Sequence, residues 1–145
     1  MRNPRAVRRL PASVSLGLTI PLALLAGCGS YSPMSKSASS TMPDTPTRTA
    51  DCVLVGPNGM TLYTFGRDVV GSGKSVCNGP CITNWPALTA PPAARTMGDY
   101  SVVVRDDGAR QWAYKGAPLY YWAKDAKAGD RTGDGVGGVW KVARP

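Results

Sequence analysis

The sequence predicts a small, mainly β single domain built from two duplicated antiparallel hairpin or meander units, preceded by a signal peptide and a disordered tether. Three observations carry that expectation. Beyond residue 51, short runs of β-branched and aromatic residues alternate with Asn-Gly, Asp-Gly and Lys-Gly turns, and no stretch sustains a 3.6-residue apolar period. Gly59-Met-Thr-Leu-Tyr-Thr-Phe-Gly-Arg-Asp68 aligns with Gly116-Ala-Pro-Leu-Tyr-Tyr-Trp-Ala-Lys-Asp125 at a constant offset of 57 residues. Ten of the aromatic side chains fall between residues 51 and 145, and large rings can fill a small β core.

In chain order, residues 1–27 read as a signal peptide. Arg2, Arg5, Arg8 and Arg9 make its basic start, and residues 16–26 make an apolar stretch too short to span a bilayer. It ends in Leu25-Ala26-Gly27-Cys28, which resembles the bacterial lipobox. That resemblance implies cleavage before Cys28, a diacylglycerol on its thiol, and anchorage at the outer face of the bacterial cytoplasmic membrane or in the cell envelope. Residues 28–50 hold the lipidated cysteine and a Ser/Thr/Pro-rich segment with too little apolar surface to offset the entropy of ordering. As a flexible coil, the 22 residues after Cys28 would reach about 25 Å.

Residues 51–145 form the β-rich repeat domain. Residues 53–65 read as strand, Asn58-Gly59 turn, strand. One helical turn is expected near residues 82–88. Residues 101–105, 110–114 and 119–122, separated by Asp107-Gly108 and Lys115-Gly116, read as a three-stranded meander. On the strands, Tyr63 and Phe65 share one face, as do Tyr120 and Trp122, and Asp68 and Asp125 fall just past the strand ends. Each half later reaches a tryptophan, Trp85 and Trp140.

Composition narrows the chemistry. The formal charge of +8 falls to about +4 once the four signal arginines are removed, and the remaining Lys and Arg are scattered, which argues against nucleic-acid binding. The chain has no histidine, and all nine acidic residues are aspartates, so most templates for nucleophilic, acid–base and metal catalysis fail. With Cys28 used for lipid, Cys52, Cys77 and Cys81 remain. Cys77-Asn-Gly-Pro-Cys81 suits a structural disulfide in an oxidising compartment, against a redox-active pair lacking the C-x-x-C spacing. Cys52 is expected as a buried free thiol. Asp130-Arg-Thr-Gly-Asp-Gly135 is similar to the start of a calcium loop, but Thr132 and Lys141 stand where ligands belong, and a Gly-rich turn is the better reading. No metal or other cofactor is expected.

Tyr63-Thr-Phe65-Gly-Arg-Asp68 and Tyr120-Tyr-Trp122-Ala-Lys-Asp125 both match Y-x-[FWY]-x-x-D. Together with the lipobox, Cys77, Cys81, Asn84-Trp-Pro86 and residues 133–140, they resemble a family of bacterial lipoproteins with that motif, the secreted repeats of unknown function. The resemblance spans about residues 53–142 and departs at Lys141, where members often carry histidine. It implies no settled activity. The motif aspartates are expected to fix loops through backbone N–H groups; the sharper alternative makes the aromatic pairs a platform for a sugar, peptide or cationic group. The resulting expectation is a non-enzymatic binding or interaction module, held to the membrane by lipid and contacting an envelope component still to be identified. The alternative is a redox accessory protein using Cys77 and Cys81, with Cys52. A hydrolase would need Asp68 and Asp125 to meet.

Overall fold

The chain is short of long strands because its turns come every few residues, so its architecture is a set of small ladders locked by side chains. The computed structural model describes residues 44–145. The signal peptide, Cys28 and most of the expected tether lie outside the described residues. In order come β1 (Thr47–Arg48), β2 (Leu54–Val55), β3 (Tyr63–Phe65), α1 (Pro80–Asn84), β4 (Tyr100–Val104), β5 (Arg110–Tyr114), β6 (Ala117–Pro118), a 3-10 turn (Val136–Gly138) and β7 (Trp140–Val142). The mainly β, antiparallel class is as expected.

Three antiparallel ladders result: β1 with β2, β3 with β7, and β4–β5–β6. The first hairpin turns where Asn58-Gly59 predicts it, with the Gly59 N–H donating to Gly56 O at 2.9 Å and Gly59 at φ 76°. Other details depart from the sequence reading. β1 lies ahead of residue 51, inside the stretch whose composition reads as tether, and Thr45 is already buried. The helix starts at Pro80, where proline at the first helical positions loses no needed donor. The third meander strand is Ala117–Pro118; residues 119–122 leave the meander so that Tyr120 can pair elsewhere.

That pairing organises the molecule. Tyr63 and Tyr120 face each other across an antiparallel bridge, exchanging N–H···O bonds of 2.8 and 3.0 Å. The two motif copies therefore meet at one point, as around a local twofold axis. Strand alternation then divides the core in two. Leu54, Leu62 and Leu119 pack with Leu88 and Trp112 on one side; Val53, Val55, Tyr63 and Tyr120 pack with Trp85 and Trp140 on the other. Because Leu62–Tyr63 and Leu119–Tyr120 occupy matching places, each repeat contributes to both cores.

Candidate functional site

The second core is built around four stacked rings in the order Phe65, Trp140, Trp85, Trp122, with centroids 4.3, 3.7 and 4.0 Å apart. The central tryptophans are nearly parallel at 6°, and the outer rings are Phe65 and Trp122, the matching aromatics of the two motifs. Tyr63 meets Trp85 edge-on at 5.4 Å, and Tyr120 meets Trp140 the same way at 5.2 Å. Each such ring pair contributes about 1 kcal/mol beyond area burial.

The motif aspartates cross between the copies. The Tyr63 hydroxyl donates to Asp125 Oδ2 at 2.6 Å, and the Tyr120 hydroxyl donates to Asp68 Oδ2 at 2.6 Å. Each carboxylate spends its other oxygen on the loop that follows it. Asp68 Oδ1 accepts the Val76 N–H at 2.8 Å, and Asp125 Oδ1 accepts the Thr132 N–H at 3.0 Å and its hydroxyl at 2.6 Å. Burial above all, and then the bond to the carboxylate, pushes both phenols well above the usual tyrosine range. The loop-fixing expectation for Asp68 and Asp125 thus describes half of what they do; the other half is to clasp the opposite repeat. They share no hydrogen-bond partner with each other. Of the aromatic pairs, Tyr63 and Tyr120 are fully buried, leaving Phe65 and Trp122 as half-buried ends of the stack.

The copies differ in what supports them. Around Tyr120, Ser75 Oγ lies 2.6 Å from the phenol and accepts from Arg105 Nη1 at 3.0 Å. Arg105, only 4% exposed, also donates to Gln111 Oε1 at 2.7 Å, Asn78 Oδ1 at 3.0 Å and the Cys77 carbonyl. Its planar fork satisfies a buried cluster that no short motif announces. Cys77 and Cys81 are bridged, closing the loop into α1, with Cys77 buried and Cys81 half-buried. At the corresponding place in the second repeat, residues 133–138 form a glycine-rich turn in which Asp134 Oδ1 accepts the Val142 N–H at 3.0 Å. Asp130 accepts from Ala126 and Lys127 N–H groups and pairs with Lys127 Nζ at 2.8 Å, a turn clasp. The expectation for Cys52 is corrected: it is half-buried at φ 61° and disulfide-bonded, so it is not a buried free thiol. It sits in the turn between β1 and β2, outside either core, which spacing alone did not disclose.

Sequence reasoning also missed a groove of about 370 Å³ beside β7, lined by Thr64, Val70, Tyr114, Lys115, Lys141 and Arg144 among others. Its three cations are spread across two sequence regions and only the fold assembles them.

The class so defined is a duplicated β module whose two copies hold each other through crossed tyrosine–aspartate pairs and a shared ring stack. The chain belongs to the secreted repeats of unknown function, whose family model matches it twice, over residues 45–89 and 101–144. It is accordingly an exported protein. No curated protein and no solved structure matches the chain.

Proposed function

We propose that this exported chain is a lipid-anchored, non-enzymatic module of the cell envelope that binds or contacts another envelope component. The crossed Tyr63–Asp125 and Tyr120–Asp68 pairs carry the reading: the most distinctive carboxylates already spend both oxygens inside the fold. An acid or base acting on a substrate needs a carboxylate positioned to exchange a proton with it. Anchorage rests on the lipobox ending in Cys28.

The test is fractionation of cells carrying Cys28→Ala, with intact mass of the wild-type protein extracted from membranes. Anchorage predicts that the variant leaves the membrane in a high-salt wash and that the wild type carries diacylglycerol. With Cys77 and Cys81 bridged, Cys28 and Cys52 are the chain's other cysteines, so a thioether on Cys28 and an intrachain bridge to Cys52 exclude each other. The same mass decides between them. A wild type without lipid, or a variant that resists the wash, sinks the anchorage.

The half-buried position of Cys81 favours a second reading, a redox accessory. Thiol–disulfide exchange at Cys81 within minutes in a glutathione buffer would support it; resistance fits a structural bridge.

A further inference from the structure

We propose that the groove beside β7 docks the phosphate headgroups of an anionic lipid leaflet, with Val69 and Val70 as its apolar contact. Lys115, Lys141 and Arg144 line it, and no aspartate does. Lys141 and Arg144 make no ion pair among the described residues, and Lys115 meets Asp99 at 3.9 Å with both side chains more than half exposed. Such an exposed pair leaves the ammonium charge largely available. Lys115 also sits at φ 48°, where glycine, asparagine or aspartate is the easier residue. A lysine there projects a cation at some cost in backbone conformation.

The apolar half is equally unexplained by folding. Val69 and Val70, 68% and 66% exposed, are the most exposed large apolar side chains among the described residues, and Val70 lines the groove. Their loop is clamped: the Gly71 N–H donates to Gly116 O at 3.0 Å, and a Cβ on Gly116 would stand 2.7 Å from the Gly71 nitrogen. The valines are therefore held out beside the cations on a fixed backbone. Cations adjoining exposed apolar side chains match the boundary between headgroups and acyl chains. A polyphosphate chain offers the charge but nothing for the valines. Arg144 further donates to the Asp51 carbonyl at 3.2 Å, which ties this face to the turn between β1 and β2. The proposal deepens the envelope reading and rests on it for the nearness of a bilayer.

The test uses the full mature chain with Cys28→Ala, so that no lipid anchor contributes, in co-sedimentation with vesicles. Binding to phosphatidylglycerol vesicles at low salt, loss at high salt, and no binding to phosphatidylcholine vesicles are expected. Lys141→Gln with Arg144→Gln should weaken partitioning about fivefold per charge removed. Arg48→Gln with Lys124→Gln removes the same charge elsewhere and should retain most of it. Val69→Ser with Val70→Ser should weaken vesicle binding and leave polyphosphate binding unchanged. Failure of the parent chain to bind anionic vesicles overturns the proposal, as do equal losses in the two charge variants or a valine-independent preference for polyphosphate. Anchorage is read separately, from the wild-type mass, so either idea can fall while the other stands.

Discussion

The carboxyl group of Asp68 holds Tyr120 through one oxygen and the Val76 backbone through the other, in a site only 8% exposed. Replacing it by Asn keeps an acceptor for one of these groups and removes the charge from a buried bond, so Asp68→Asn should cost about 2 kcal/mol. For a domain of this size that is a fall in Tm of about 10 °C, measurable by calorimetry. Asp125→Asn should cost less, since that carboxylate is only half-buried and leans on Thr132. The tyrosines supply a second expectation, at alkaline pH. An unfolded tyrosine ionises near pH 10, and burial raises Tyr63 and Tyr120 above that. Their contribution is complete below about pH 10 and is lost above it, because the unfolded chain then releases protons the folded chain retains. Tm should therefore fall steeply from pH 10 to 12, and less steeply in Tyr63→Phe or Tyr120→Phe. Some slope will persist, because burial also moves Tyr121 up to about 12. The spacing of the motif was legible at this level: Tyr, ring and Asp recur at the same intervals. Which tyrosine meets which aspartate was not, since a repeat aligned with itself carries no information about contacts between its copies.

Turns were the most legible elements and ladders the least. Asn58-Gly59 and Lys115-Gly116 announce their reversals because few residues tolerate a positive φ. By contrast, β3 pairs with β7, 70-odd residues away, and nothing local in Tyr63–Phe65 distinguishes that partner from β2. Short strands also hide a glycine whose lack of a side chain the ring stack requires. A Cβ at Gly133 would lie 2.8 Å from Trp85 and 3.0 Å from Trp122, so Gly133→Ala must part the ring stack. Overpacking of this kind costs about 1–3 kcal/mol, and near-UV circular dichroism should lose its tryptophan bands along with the fall in Tm. The Cys77–Cys81 bridge closes only a short loop, for which chain entropy yields about 2 kcal/mol. Replacing both cysteines by serine should lower Tm and leave the domain folded, since Arg105 still ties this loop to Gln111.

Taken whole, the domain is legible as a β duplication and illegible as an interlocked one. Composition and periodicity indicate small strands and a ring-rich core. The mutual dependence of the halves arises from long-range pairs that need the folded chain to exist. Neither repeat owns a complete core: Trp85 of the first stacks on Trp140 of the second, and Leu54 and Leu62 of the first pack with Trp112 and Leu119 of the second. Fragments 44–95 and 96–145 should each be unfolded alone by circular dichroism and regain the spectrum of the intact domain on mixing. A fragment that folds by itself would show that the crossed pairs are dispensable.

The exchange between Tyr63–Asp125 and Tyr120–Asp68 has the form of an isologous contact, in which one residue of each copy reaches the complementary residue of the other. A chain with a single repeat would find its missing tyrosine and aspartate only in a second molecule, so the geometry is that of a homodimer whose subunits have been fused. Fusion releases the two sides from identity. Here that freedom is visible in the disulfide and Arg105 cluster of one side and the glycine turn of the other. It also permits a one-sided surface such as the groove beside β7, which a symmetric pair would have had to carry twice.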